Sequence, residues 1–301
     1  MRIPELVAVA LVAPLAVTVH LTASSPQLDA RVGEVLAAAR EALGGQAALD
    51  KVQTLSVNAT TRRVMGEREM SGEVTVELLL PDKMRRTDAF GIPGGPTMER
   101  VSVLNGGEVW DDSTNRGGGG FMMRMGGPGG PGGPGGRELT DEDRQRMRDA
   151  QVRRMKGEMA RFALGFLLRT DATITYGGVA EAEDGKADVL EITPAGGAPM
   201  KLFIDQETRL PLMLSYEGIL PRAMVARGGP PSPEEIEKMR REPPQTATFE
   251  VRYGEYKKLD GVVFPHLLTT AANGNVTEEW TVDKIKVNPS LKPESFAKKG
   301  S

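Results

Sequence analysis

The sequence predicts an α+β protein built on one large antiparallel sheet of about eleven strands, with two or three helices set to one side. Three observations carry this. Residues Thr246 to Pro289 read TATFEVRYGEYKKLDGVVFPHLLTTAANGNVTEEWTVDKIKVNP, where three stretches alternate apolar and polar residues, as strands with one buried face do. Other strand-like stretches follow one another without intervening helices, against a βαβ arrangement. Helical spacing is concentrated in two segments, 28–43 and 140–168.

The N-terminus reads MRIPELVAVALVAPLAVTVHLTASS. Arg2 gives a short positive region, Leu6 to Leu21 an apolar core, and small residues follow. That layout is a secretory signal peptide over residues 1–24, predicting a periplasmic protein. An uncleaved N-terminal anchor is the alternative. Next, Leu28, Val32, Val35, Leu36, Ala39 and Leu43 share one helical stripe, which Gly44-Gly45 ends. A short piece from Gln46 to Val52 leads into the first strand.

Strands are expected at Leu55 to Val64, Gly72 to Leu80 and Met84 to Phe90, with a turn at Pro81-Asp82-Lys83. Glu99 to Leu104 and Glu108 to Asp112 form a hairpin around Asn105-Gly106-Gly107. Residues 117–136 read GGGGFMMRMGGPGGPGGPGG, in which fifteen of twenty are Gly or Pro. Such a stretch predicts a disordered insertion, because it cannot bury enough apolar surface to offset its ordering entropy. Thr140 then caps a helix to Leu168, with Asp141, Glu142 and Asp143 at its positive end. Its first half is charged; Phe162 to Leu168 is apolar and must dock.

Further strands span Thr173 to Val179, Ala187 to Thr193, Met200 to Asp205 and Leu210 to Tyr216. A Pro-rich loop covers 220–244, with room for a short helix from Pro233 to Arg241. The closing strands are joined at Lys258-Leu259-Asp260-Gly261 and at Asn273-Gly274-Asn275. Asn-Gly favours a tight hairpin, because both central residues take positive φ.

Chemistry is thinly supplied. The chain has 301 residues, a net charge of −3, no cysteine and two histidines. Thiol catalysis and cysteine metal sites are excluded, and the charge argues against a nucleic-acid partner. Asp111-Asp112 and Glu278-Glu279 are strand neighbours pointing to opposite faces, and read as solvated residues. His266 follows Pro265 near a strand start and reads as structural. No nucleophile elbow or phosphate loop is present. Met122, Met123 and Met125 could ligate copper(I), but a flexible insertion of adaptable apolar residues is the plainer reading. No cofactor and no metal is expected.

Two motifs then point to a family. Phe203-Ile-Asp205-Gln-Glu-Thr208-Arg-Leu210-Pro211-Leu-Met-Leu resembles the D-x-x-T-x-L-P hairpin of the outer-membrane lipoprotein-sorting (LolA-like) superfamily. Tyr253-Gly-Glu-Tyr256-Lys-Lys-Leu-Asp260-Gly261-Val-Val-Phe-Pro265-His266 is similar to its Y-x-x-Y-x-x-x-D-G-x-x-x-P hairpin. The ending from Val282 through Asn288-Pro289 to Phe296, and the A-L-G-G-x-x-A-L opening, are similar too. The resemblance implies one domain over 28–299: a curved, incompletely closed antiparallel half-barrel with helices covering the concave face. The chain departs from the pattern in its insertion at 117–136 and its loop at 220–244.

The expectation is a non-enzymatic periplasmic carrier or binder of lipid or acylated protein. Its apolar cavity would be lined by Val76, Leu78, Val103, Leu202, Ile204, Leu212 and Leu214. The alternative is an envelope regulatory or sensor module that binds an inner- or outer-membrane protein through the charged helix 140–161 and the two insertions. An enzyme acting on glycans through distant paired carboxylates is a third reading.

Overall fold

A computed structural model describes residues 26–65, 68–91, 97–116, 140–182, 185–194, 198–220 and 245–298. The leader at 1–24, the insertion at 117–136, the methionines in it and the helix expected at 233–241 lie outside the described residues.

Helix α1 (Pro26–Ala42) and the short α2 (Gln46–Asp50) open the fold. Val32, Val35, Leu36, Ala39 and Leu43 are buried, the stripe that the spacing predicted. Five antiparallel strands follow as a meander: β1 (Thr54–Met65), β2 (Arg68–Leu79), β3 (Lys83–Gly91), β4 (Thr97–Asn105) and β5 (Glu108–Arg116). Helix α3 (Asp141–Leu167) comes next. Thr140 caps it in a reciprocal box: its Oγ1 accepts from the Asp143 amide at 3.1 Å, and the Asp143 carboxylate accepts from the Thr140 amide at 3.2 Å. Its last turn, from Phe162 to Leu167, is buried.

A second meander runs through β6 (Thr173–Ala182), β7 (Gly185–Thr193), β8 (Met200–Asp205), β9 (Pro211–Ile219) and β10 (Thr246–Gly254). Then come β11 (Lys257–Leu259), β12 (Val262–Phe264), β13 (Leu267–Ala272) and β14 (Asn275–Val287). Twelve strands form one antiparallel sheet, in the order β5-β4-β3-β2-β1-β14-β13-β10-β9-β8-β7-β6. Its edges, β5 and β6, do not pair, so the barrel stays open. The count exceeds the expected eleven.

The closing run differs from expectation in one joint. Asp260-Gly261 does not link two long strands. It closes the separate two-stranded β11–β12 hairpin, and β10 pairs directly with β13. That hairpin docks on the end of α1. The Val263 amide donates to the Leu43 carbonyl at 2.8 Å, and a Cβ on Gly44 would stand 2.1 Å from the Gly261 oxygen. The second joint is as expected: Asn273 and Gly274 take φ of 48° and 79° between β13 and β14.

Helix α3 joins the two edges of the sheet. At 1.5 Å per residue it is about 40 Å long, and it touches β4, β5 and β9. It therefore lies across the inner face, on which Leu55, Val57, Val76, Leu78, Leu190, Leu202 and Leu214 form one buried core. On the outer face a 3₁₀ turn, Pro293–Phe296, packs on β3 and β4, and the Trp110 indole donates to the Phe296 carbonyl at 3.2 Å. Among the described residues no helix is long and apolar enough to cross a membrane.

Candidate functional site

Five of the seven residues expected to line a cavity sit together in the inner-face core: Val76, Leu78, Leu202, Ile204 and Leu214, each at most 1% exposed. Leu212 falls at the bulge between the Phe203 and Ile204 pairings and is half-buried. Val103 stands apart. It pairs with Arg85 and Trp110, so strand alternation puts it on the outer face under Phe296. None of the seven lines either of the two cavities that lie against α3.

The smaller cavity lies where the inner face turns polar. Along β1 the inward positions run Leu55, Val57, Ala59, then Thr61 and Arg63. Arg63 stands opposite Glu278 of β14, and Thr61 opposite Trp280. On β3 the same change brings Arg86 and Asp88 inward after Met84. These side chains meet one residue from α3. Arg86 Nε and Nη2 each donate to Asp88 at 2.8 Å, while its Nη1 donates to Glu158 at 2.6 Å. Arg63 donates to Asp88 at 2.5 Å and to Glu278 at 2.7 Å. The Arg86 guanidinium also lies over the Trp280 ring, 5.1 Å from its centroid.

This network is largely withdrawn from water. Burial pushes the Asp88 carboxyl up, but the hydrogen bonds and charge of Arg86, then Arg63, outweigh it and leave it below the ordinary range. Burial likewise disfavours the Arg86 cation, and Glu158, Asp88 and Glu278 more than reverse that. Glu278 corrects the expectation of a solvated strand residue, since its side chain is only 20% exposed. Its neighbour Glu279 faces the other way and meets Arg62 at 3.5 Å. Asp111 is tied to α3, accepting from Gln151 at 2.5 Å. The His266 Nδ1 lies 3.1 Å from the Phe264 carbonyl in its own turn. Among the described residues no cluster of His, Cys, Asp or Glu is arranged to hold a metal.

Beside the network is a cavity of about 640 Å³. Its apolar wall is aromatic. Phe162 and Phe166 stack at 4.5 Å between centroids, and Phe162 lies 6.0 Å from Trp280. Leu268 and Val251 complete that side. Its polar wall carries Arg63, Arg86, Arg154 and Arg161. The Arg161 guanidinium lies over Tyr216, 4.1 Å from the ring centroid. A wider cleft of about 1560 Å³ runs along α3 and shares Arg154, Arg161, Tyr216 and Phe249 with the first. The volume of the smaller one is in the range that holds a small-molecule ligand.

The polar wall was not singled out from the sequence, although two signals for it were there. Arg86 and Asp88 sit two apart on a strand and so share a face. Arg154, Glu158 and Arg161 recur at helical spacing. What the sequence lacked was the register that stacks these faces on one another.

No family model matches the chain, and no curated protein matches it. Among solved structures it is similar to a LolA superfamily protein from Nitrosomonas europaea, at 12% identity over 84% of this chain and 97% of that one, with a TM-score of 0.44. It is similar to a protein from Desulfovibrio piger in a family of unknown function, at 12% identity over 88% and 97%, with a TM-score of 0.42. It is similar, last, to an outer membrane lipoprotein-sorting domain from Vibrio parahaemolyticus, at 10% identity over 88% and 96%, with a TM-score of 0.43.

Proposed function

We propose that this chain binds an amphiphile, a lipid or an acylated polypeptide, between α3 and the inner face of the sheet. One observation carries the reading: the cavity beside the buried charge network has an aromatic wall and a guanidinium wall. An apolar chain laid on Phe162, Phe166, Trp280 and Leu268 would gain about 0.8 kcal/mol per buried CH₂. The cavity's carboxylates support binding over chemistry. Glu158 and Glu278 each meet a guanidinium within 2.7 Å, so both are already engaged in ion pairs. The leader read in residues 1–24 would put this carrier or binder in the periplasm.

The chain has two tryptophans, and Trp110 lies on the outer face. In a Trp110→Phe variant Trp280 is the sole indole and reports on the cavity. Titration with a fluorescent fatty-acyl probe is expected to saturate and to quench Trp280. A linear, non-saturating response, with the variant folded by circular dichroism, overturns the proposal.

A further inference from the structure

Helix α3 presents Arg154, Glu158, Arg161 and Gly165 to the sheet, at i, i+4, i+7 and i+11. Three of them meet a different partner each. Gly165 lets the helix press on Tyr253, whose oxygen would be 2.2 Å from a Cβ there. Arg161 lies on Tyr216. Glu158 reaches away to Arg86. Helical spacing would offer Glu158 to both arginines, one on each side of it. The Arg86 bond takes it from both. Arg154 and Arg161 are then left with no carboxylate at ion-pair distance among the described residues.

The charge around the cavity is accordingly unbalanced. Arg63, Arg86, Arg154 and Arg161 line it, against Glu158 and Glu278, with Asp88 bound behind them. Among the described residues, four positive charges against three negative leave +1, and the excess sits at Arg154 and Arg161. These two also border the wider cleft, so they stand where both hollows meet. Arg161 is half-buried, with Phe162 next to it in the chain and the Tyr216 ring beneath it. A cation held at the edge of an apolar space attracts an anion more strongly than one in open water.

We infer that the ligand carries an anionic head, and that Arg154 and Arg161 hold it while the apolar chain lies on Phe162, Phe166 and Trp280. This rests on the amphiphile-binding reading above. A guanidinium pairs with a carboxylate or a phosphate through parallel N–H donors, so a fatty acid and a phosphorylated lipid share the required chemistry.

The test uses the full chain and four ligands of equal chain length, each below its micelle-forming concentration: dodecanoate, dodecyl phosphate, dodecyl maltoside and dodecyltrimethylammonium. Calorimetric titration is expected to show the two anions binding about tenfold or more tighter than the maltoside, the size of one charge-assisted hydrogen bond. The tighter of the two anions identifies the head. In the Arg154→Gln/Arg161→Gln double variant the anion preference should fall to within about twofold of the maltoside, whose own affinity stays put. Arg161→Lys should keep part of it. Rising ionic strength should weaken dodecanoate and leave the maltoside unchanged in the unmutated chain, an outcome that does not depend on the variants folding. If all four ligands bind alike and without salt dependence, the head-group inference is wrong and the binding reading stands. If none binds, the binding reading itself falls.

Discussion

Asp205 organises the turn between β8 and β9 with one oxygen. Its Oδ1 accepts from the amides of Glu207 and Thr208 at 3.1 and 2.6 Å and from the Thr208 hydroxyl at 2.8 Å. Arg209 can then take φ of 63° and deliver Pro211 to the next strand. Removing that acceptor breaks three hydrogen bonds of the turn. Asp205→Ala is expected to cost about 1–3 kcal/mol in urea unfolding, and Asp205→Asn, which keeps an acceptor, clearly less. Equal losses in the two variants would mean the charge matters and the geometry does not. Thr140 and Asn273-Gly274 were legible in the sequence, because each is closed by residues within four positions; the Asp-x-x-Thr turn was read through a resemblance. Asn288 was readable only as part of a resemblance. Its side chain accepts from the Gln53 amide at 2.7 Å and donates to the Lys51 carbonyl at 2.9 Å, and those partners lie far away in sequence.

Where whole elements meet, the polar end of the inner face decides how α3 is seated. Strands β1, β3 and β14 each send one or two charges inward, and the carboxylate by which α3 joins that network is Glu158. Asp88 is the group both arginines share, and its ionisation is linked to folding. Its folded pKa lies below the unfolded value of about 3.9. The unfolded chain therefore binds the proton first as pH falls. Asp88 contributes its full stability above about pH 4, and that contribution drains away as pH drops through the folded value. Asp88→Asn is expected to lose about 1.5–3 kcal/mol at neutral pH and to show a shallower fall in stability below about pH 4. A variant with the unaltered acid slope would place the linkage elsewhere. The sequence made each of these strands readable as alternating. It left their inward charges looking like solvent-exposed ones, because alternation says which residues share a face but not which face is covered.

Across the molecule, the α+β class and the open antiparallel sheet were legible because turn signals punctuate every strand. The pairing of distant strands was not, and the two that matter most are β1 and β14. They join five strands from one edge and seven from the other, and each part of the sheet is a meander hung from that seam. A chain ending after Ala272 is expected to leave β1 and β13 with bare edges and to elute as aggregates in size-exclusion chromatography. A monomeric, protease-resistant product would show that the two parts stand without the seam. The seam also sets an order in time. Leu55 and Val287 face each other across 287 − 55 = 232 positions of chain. A polypeptide made from its N-terminus exposes the unpaired edge of β1 through the synthesis of every later strand. The seam is thus the last part of the sheet that can form, and the interval of vulnerability is written into the connectivity itself.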